Sequence, residues 1–153
     1  GWGQKTALKV AARNGHAEVV RVLLEDGRAD PTADESVALR MAARGGHAEV
    51  VSLFLDDLRS DPAGWDNLAV RFAAEFGRTE VVRILLRDDR VDPSANNNNA
   101  VYWAARNGDA KAVHLLLQDS RVDGTRAIKN AHRSVVPVLT EDERCGIVVN
   151  REL

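Results

Sequence analysis

Apolar residues in this chain recur at two spacings, a local one of three and four and a longer one of 31. Leu8, Ala11 and Ala12 share one helical face, and the pattern stops at Gly15, a residue type that readily takes the left-handed conformation ending a helix. After His16 a second run, Val19, Val20, Leu23 and Leu24, again follows the helical period. The pattern predicts a first helix of about two turns and an antiparallel second helix. The paired alanines let the two helices approach closely. Asp30-Pro31 breaks the second helix, and the polar stretch through Asp34-Glu35-Ser36 leads to the next first helix.

The unit then repeats. Gly15, Gly46, Gly77 and Gly108 stand 31 residues apart, as do Ala7, Ala38, Ala69 and Ala100. The alanine pair recurs at 42–43, 73–74 and 104–105, and the same frame carries Leu24, Leu55, Leu86 and Leu117. Two charged rows complete it: Arg28, Arg59, Arg90 and Arg121, each two residues before Asp30, Asp61, Asp92 and Asp123. One helix pair cannot cover its own apolar face, so such units gain stability by stacking.

Residues 11–24, Ala-Ala-Arg-Asn-Gly-His-Ala-Glu-Val-Val-Arg-Val-Leu-Leu, resemble the second half of the ankyrin-repeat consensus, and the likeness runs from residue 6 to about residue 125. The resemblance implies an all-α, ankyrin-like solenoid of stacked antiparallel helix pairs joined by short extended loops. Its four repeats would lie near 3–33, 34–64, 65–95 and 96–125, with 126–153 as a degenerate repeat, cap and tail. Two features depart from the family. The Thr-Pro-Leu-His opening is replaced by Thr6-Ala7-Leu8-Lys9 and its counterparts, and the repeat is shorter than the family's usual length of about 33. The projecting finger of the family is therefore expected to shrink to a tight loop. After Asp123 the frame decays, and Pro137 is expected to break a helix there.

Composition adds limits. The formal net charge is −2, and the Lys and Arg residues are spread along the chain, which argues against nucleic acid as a partner. No apolar run is long enough to span a bilayer, so no membrane partner is expected, and a single cysteine, Cys145, points to a reducing intracellular, cytoplasmic setting. A chain beginning at Gly1 instead of Met reads as a piece of a larger protein.

Candidate chemistry is weak. His16 and His47 share a repeat slot that holds Arg78 and Asp109 elsewhere, so they read as turn residues, and His114 and His132 lack partners at metal-binding spacing. Gly1-Trp2-Gly3-Gln4-Lys5-Thr6 lacks the glycine before lysine of a phosphate loop, and Cys145 has no nucleophile motif. No enzyme activity, cofactor or metal is expected. The Arg and Asp rows read as a structural network offsetting Asp26, Asp57, Asp88 and Asp119 near helix ends.

Partner-facing positions are sought where copies differ. By resemblance, the two residues between the alanine pair and glycine line the concave groove: Arg13-Asn14, Arg44-Gly45, Glu75-Phe76 and Arg106-Asn107. Phe76 is an aromatic in a polar slot, and Trp65 is a second anchor in the loop series Asp34-Glu35-Ser36, Trp65-Asp66-Asn67, Asn96-Asn97-Asn98-Asn99. The Asn run fits turn geometry, because Asn tolerates left-handed backbone. Tyr102 replaces Lys9, Arg40 and Arg71 in its slot, whereas Trp103, with Val10, Met41 and Phe72, reads as packing between repeats. The expected function is a monomeric scaffold binding a partner protein through the concave face and inter-repeat loops. The alternatives are a substrate-recognition arm of a larger protein, such as a ubiquitin-ligase adaptor, or a spacer without its own partner.

Overall fold

A computed structural model describes residues 2–142; Cys145 and the rest of the segment from 143 onward lie outside the described residues. The elements run α1 (Trp2–Asn14), α2 (Ala17–Glu25), α3 (Ala33–Gly45), α4 (Ala48–Asp56), α5 (Gly64–Glu75), α6 (Thr79–Leu85), α7 (Ala95–Asn107), α8 (Ala110–Leu117), α9 (Thr125–Ile128) and α10 (Val136–Glu141). Each odd helix pairs with the even helix after it. The pairs stack so that α1, α3, α5 and α7 form one layer and α2, α4, α6 and α8 the other.

The alanine pairs explain the stacking. All eight are buried, and the first helices meet more closely than the second helices do. Small side chains permit that approach, while Phe54, Leu85 and Leu116 hold the second helices apart. A stack that is tight on one layer and wide on the other curves, with the first helices inside. Each fully buried Val, Leu or Phe in this core contributes about 1.5–3 kcal/mol.

The turn inside each pair is built by two successive repeats. Gly15 and Gly46 take φ of +74° and +82°, and a Cβ on Gly15 would lie 2.5 Å from the His47 ring. That ring uses the space the missing side chain leaves, and its Nε2 donates to the Arg13 carbonyl at 2.9 Å. Arg78 does the same over Gly46, its Nε donating to the Arg44 carbonyl at 3.0 Å. Each thereby satisfies a carbonyl at the end of a first helix that has no partner within the helix. Asp109 cannot donate from that slot, and Asn107 instead reaches the Glu75 carbonyl at 2.7 Å.

The short connection between pairs takes a form that pattern reading does not reveal. Asp34-Glu35-Ser36, Trp65-Asp66-Asn67 and Asn96-Asn97-Asn98 each form a left-handed turn, with φ between 51° and 61°. The amide of the third residue closes it on a carbonyl four residues back: Ser36 on Thr32, Asn67 on Ala63, Asn98 on Ser94. An Asx-type bond leads into each turn, from Thr32 N to Asp30, Ala63 N to Asp61 and Ser94 N to Asp92. The next repeat then pins it. Asn67 accepts from Asp92 N at 2.7 Å and Asn98 from Asp123 N at 2.8 Å.

One expectation near the end of the stack is corrected. Pro137 does not break a helix but stands in the first turn of α10, where its missing N–H is not needed.

Candidate functional site: the open face of the first helices

The positions of Leu8, Ala11 and Ala12 are buried on every first helix, and Ala38, Ala69 and Ala100 are buried on α3, α5 and α7; Lys9, Val10, Arg13, Asn14 and their counterparts lie on the inner, open side, Arg40 alone of them buried. The row Val10, Met41, Phe72 and Trp103 runs along its centre. Read from the sequence as packing between repeats, this row is in fact only half-buried, with Val10 48% exposed. The helical period explains it, since position 10 falls between the buried stripe and the solvent side. Phe72, Met41 and Trp103 are thus the surface residues that pattern reading missed.

Guanidinium groups and aromatic rings are interleaved across this face. Arg44 lies over the Phe76 ring at 4.5 Å, and Phe76 meets Phe72 edge-on with centroids 6.0 Å apart. Arg106 lies over Trp103 at 5.1 Å, Trp103 meets Tyr102 edge-on at 5.5 Å, and Arg126 covers Tyr102 at 4.7 Å. Phe76 remains 37% exposed and Trp65 56% exposed. Trp65 packs on Arg40 at 4.6 Å, which helps explain why that arginine is buried. Burial lowers the pKa of Arg40, with Glu35 and Asp34 opposing the shift.

The cations on this face have two roles. Arg40 Nη2 donates to the Asp34 carbonyl at 3.0 Å and Arg71 Nη1 to the Asp66 carbonyl at 3.3 Å, so this row grips the left-handed turns. Tyr102 holds that slot in the fourth pair, and Arg126 reaches the Asn97 carbonyl in its place. Arg13, Arg44 and Arg106 form the other row. They are exposed, and among the described residues their side chains form no ion pair. Asn14 is exposed beside them, Glu75 half-buried, and Asn107 is engaged with the α5 carbonyls.

Lys and Arg that are spread along the chain are therefore gathered in space. Lys9, Arg13, Arg40, Arg44, Arg71 and Arg106 share the first-helix face in a chain of net charge −2; Asp34 and Glu35 lie near Arg40, Asp66 stands 3.9 Å from Arg71, and Glu75 occupies the Arg13, Arg44 and Arg106 slot in the third pair. A period of 31 places evenly spaced residues on one side, so even spacing along the chain does not scatter them in space.

The opposite edge is structural. Arg59 holds Asp57 through Nε and Nη2 and extends to the Leu24 carbonyl at 2.9 Å in the preceding repeat. Arg90 pairs with Asp88 and reaches Ser60, and Arg121 pairs with Asp119 and reaches Val91. The Arg59 and Arg90 guanidiniums, as hydrogen-bond donors, hold the Asp57 and Asp88 carboxyls below the usual range. Among the described residues no group of three or more His, Cys, Asp or Glu could hold a metal ion, and no helix is long and apolar enough to cross a membrane.

Paired helices in a two-layer stack, with a varied inner face and a repeated outer frame, define a helical-repeat interaction module. The chain belongs to the ankyrin-repeat family: the family model described as ankyrin repeats in three copies matches residues 2–64, 39–127 and 70–151. No curated protein matches it as a relative. Ankyrin repeats are in general protein-binding modules.

Proposed function

We propose that this chain binds a partner protein along the open face of its first helices, centred on the third and fourth pairs. The observation that carries this reading is Trp65. A bulky residue in the left-handed region costs about 1–2 kcal/mol, and the equivalent slots hold Asp34 and Asn96, which tolerate it better. Trp65 nevertheless stays 56% exposed, so burial does not offset the strain. An exposed ring kept in a strained position and steadied by Arg40 has the character of an interface anchor. Phe72 and Phe76 add an apolar pair toward the other end of α5, and Trp103 holds the Phe72 slot in the next pair. A rigid stack loses little ordering entropy on binding.

The test is photo-cross-linking in host-cell extract, with the reactive group placed in turn beside Phe76 on α5 and at Arg21 on α2. The expected result is a discrete partner cross-linked from the α5 position and lost in a Phe76→Ala, Trp65→Ala variant of unchanged circular dichroism. Cross-linking from α2 alone would move the interface to the other layer. None from either position would favour a spacer.

A further inference from the structure

We infer that the occupant of this face is an extended acidic segment of a protein, its carboxylates seated on Arg13, Arg44 and Arg106 and an apolar side chain on Phe72 and Phe76. The inference rests on the protein-binding reading above and adds the chemistry of the partner.

Charge complementarity is the first support. Arg59, Arg90 and Arg121 each have a carboxylate two residues away, whereas Arg13, Arg44 and Arg106 have no ion-pair partner among the described residues. Two of these three are also held in place. With one face of the guanidinium on a ring, as in Arg44 over Phe76 and Arg106 over Trp103, the N–H groups at its edge remain free to grip a carboxylate with two parallel bonds.

The same stacking argues against a nucleic-acid strand. Bases bind by stacking on open aromatic faces. Here Arg44, Arg106, Arg126 and Arg40 each lie on one face of Phe76, Trp103, Tyr102 and Trp65, which leaves at most one face per ring for a base. The ring pairs meet edge-on and offer no parallel platforms for successive bases.

Spacing gives the segment its pattern. Packed neighbouring helices lie about 8–10 Å apart, and an extended peptide advances about 3.3 Å per residue, so one repeat matches about two and a half to three residues. A segment along Arg13, Arg44, Glu75 and Arg106 therefore meets them with every third residue. The matching series is acidic, acidic, apolar, acidic, because Glu75 repels a carboxylate at the third step while Phe72 and Phe76 receive an apolar group there.

Fluorescence anisotropy of the full chain tests this with a labelled Gly-rich peptide carrying Glu, Glu, Leu and Glu at every third residue. The peptide is made in both chain directions, with a Lys-for-Glu control and a single-stranded oligouridylate. The expected result is binding of a Glu peptide that weakens with salt and falls at least about tenfold in Arg44→Gln, Arg106→Gln. Arg44→Lys, which keeps the charge but loses the fork, should fall between. Equal binding of the Lys peptide, no effect of the Gln variant, or tighter binding of the oligouridylate would overturn the inference, as would no binding of any peptide. If the α5 cross-link to a partner survives any of these failures, only the acidic chemistry is wrong; if it is absent too, the protein-binding reading falls with it.

Discussion

Ser36 shows what one side chain does within the repeat. Its slot holds Asn67 and Asn98 in the next two pairs, and each of those accepts the amide of the aspartate that opens the following connection. Serine is shorter, and its Oγ is buried without a hydrogen-bond partner. Gly64 beside it leaves more room than Ala95, its counterpart one repeat later. Ser36→Asn should therefore raise stability by about 1 kcal/mol through a new bond to the Asp61 amide, read as a higher midpoint in urea. An unchanged or lower midpoint would remove the asparagine slot from the account of the left-handed turn.

At the scale of elements, the arginines at the ends of the second helices tie one pair to the one before. Arg59 joins Asp57 to the end of α2, so its loss would leave helix-end carbonyls short of a donor. Arg59→Ala should cost about 1–2 kcal/mol, at the lower end for a charged donor because the side chain is partly exposed. The pH dependence has a definite sign. Asp57 and Asp88 have folded-state pKa values below their unfolded value near 3.8. Their contribution is complete above that value and is lost as pH falls through the folded values. Denaturation midpoints should decline from about pH 5 downward, and Arg59→Ala should flatten that decline. An equally steep acid decline in the variant would show that other carboxylates control it.

For the whole molecule, place in the stack outweighs identity in the repeat. Val19 and Val50 occupy the same slot, yet Val19 is 49% exposed and Val50 1% exposed. Val22, on the same side of α2, is 62% exposed. Val50 is covered by the pair before it; Val19 has no pair before it among the described residues. Val50→Ala should cost about 1.5–3 kcal/mol and Val19→Ala under about 0.5 kcal/mol, measured by urea unfolding. Equal costs would mean that α2 is covered in solution, by a second copy or by another part of the chain.

The sequence by itself determined the period, the helix pairs, the glycine turns and the role of the Arg and Asp rows, because these follow from local spacing repeated often enough to exclude chance. It also singled out Trp65, Phe76 and Tyr102, aromatic residues in slots that are otherwise small or polar. Three things needed the tertiary structure. The left-handed turn recurs in all three connections, but its anchoring by Asn67 and Asn98 on amides of the next repeat is a contact no local pattern encodes. The half-exposure of Met41, Phe72 and Trp103 depends on how closely the first helices approach, which buries one side of the row and leaves the other open. The period already put Arg13, Arg44 and Arg106 in one slot, but the division of labour among the cations, with Arg40 and Arg71 gripping the turns and Arg44 and Arg106 lying on rings, depends on contacts made only in the folded chain.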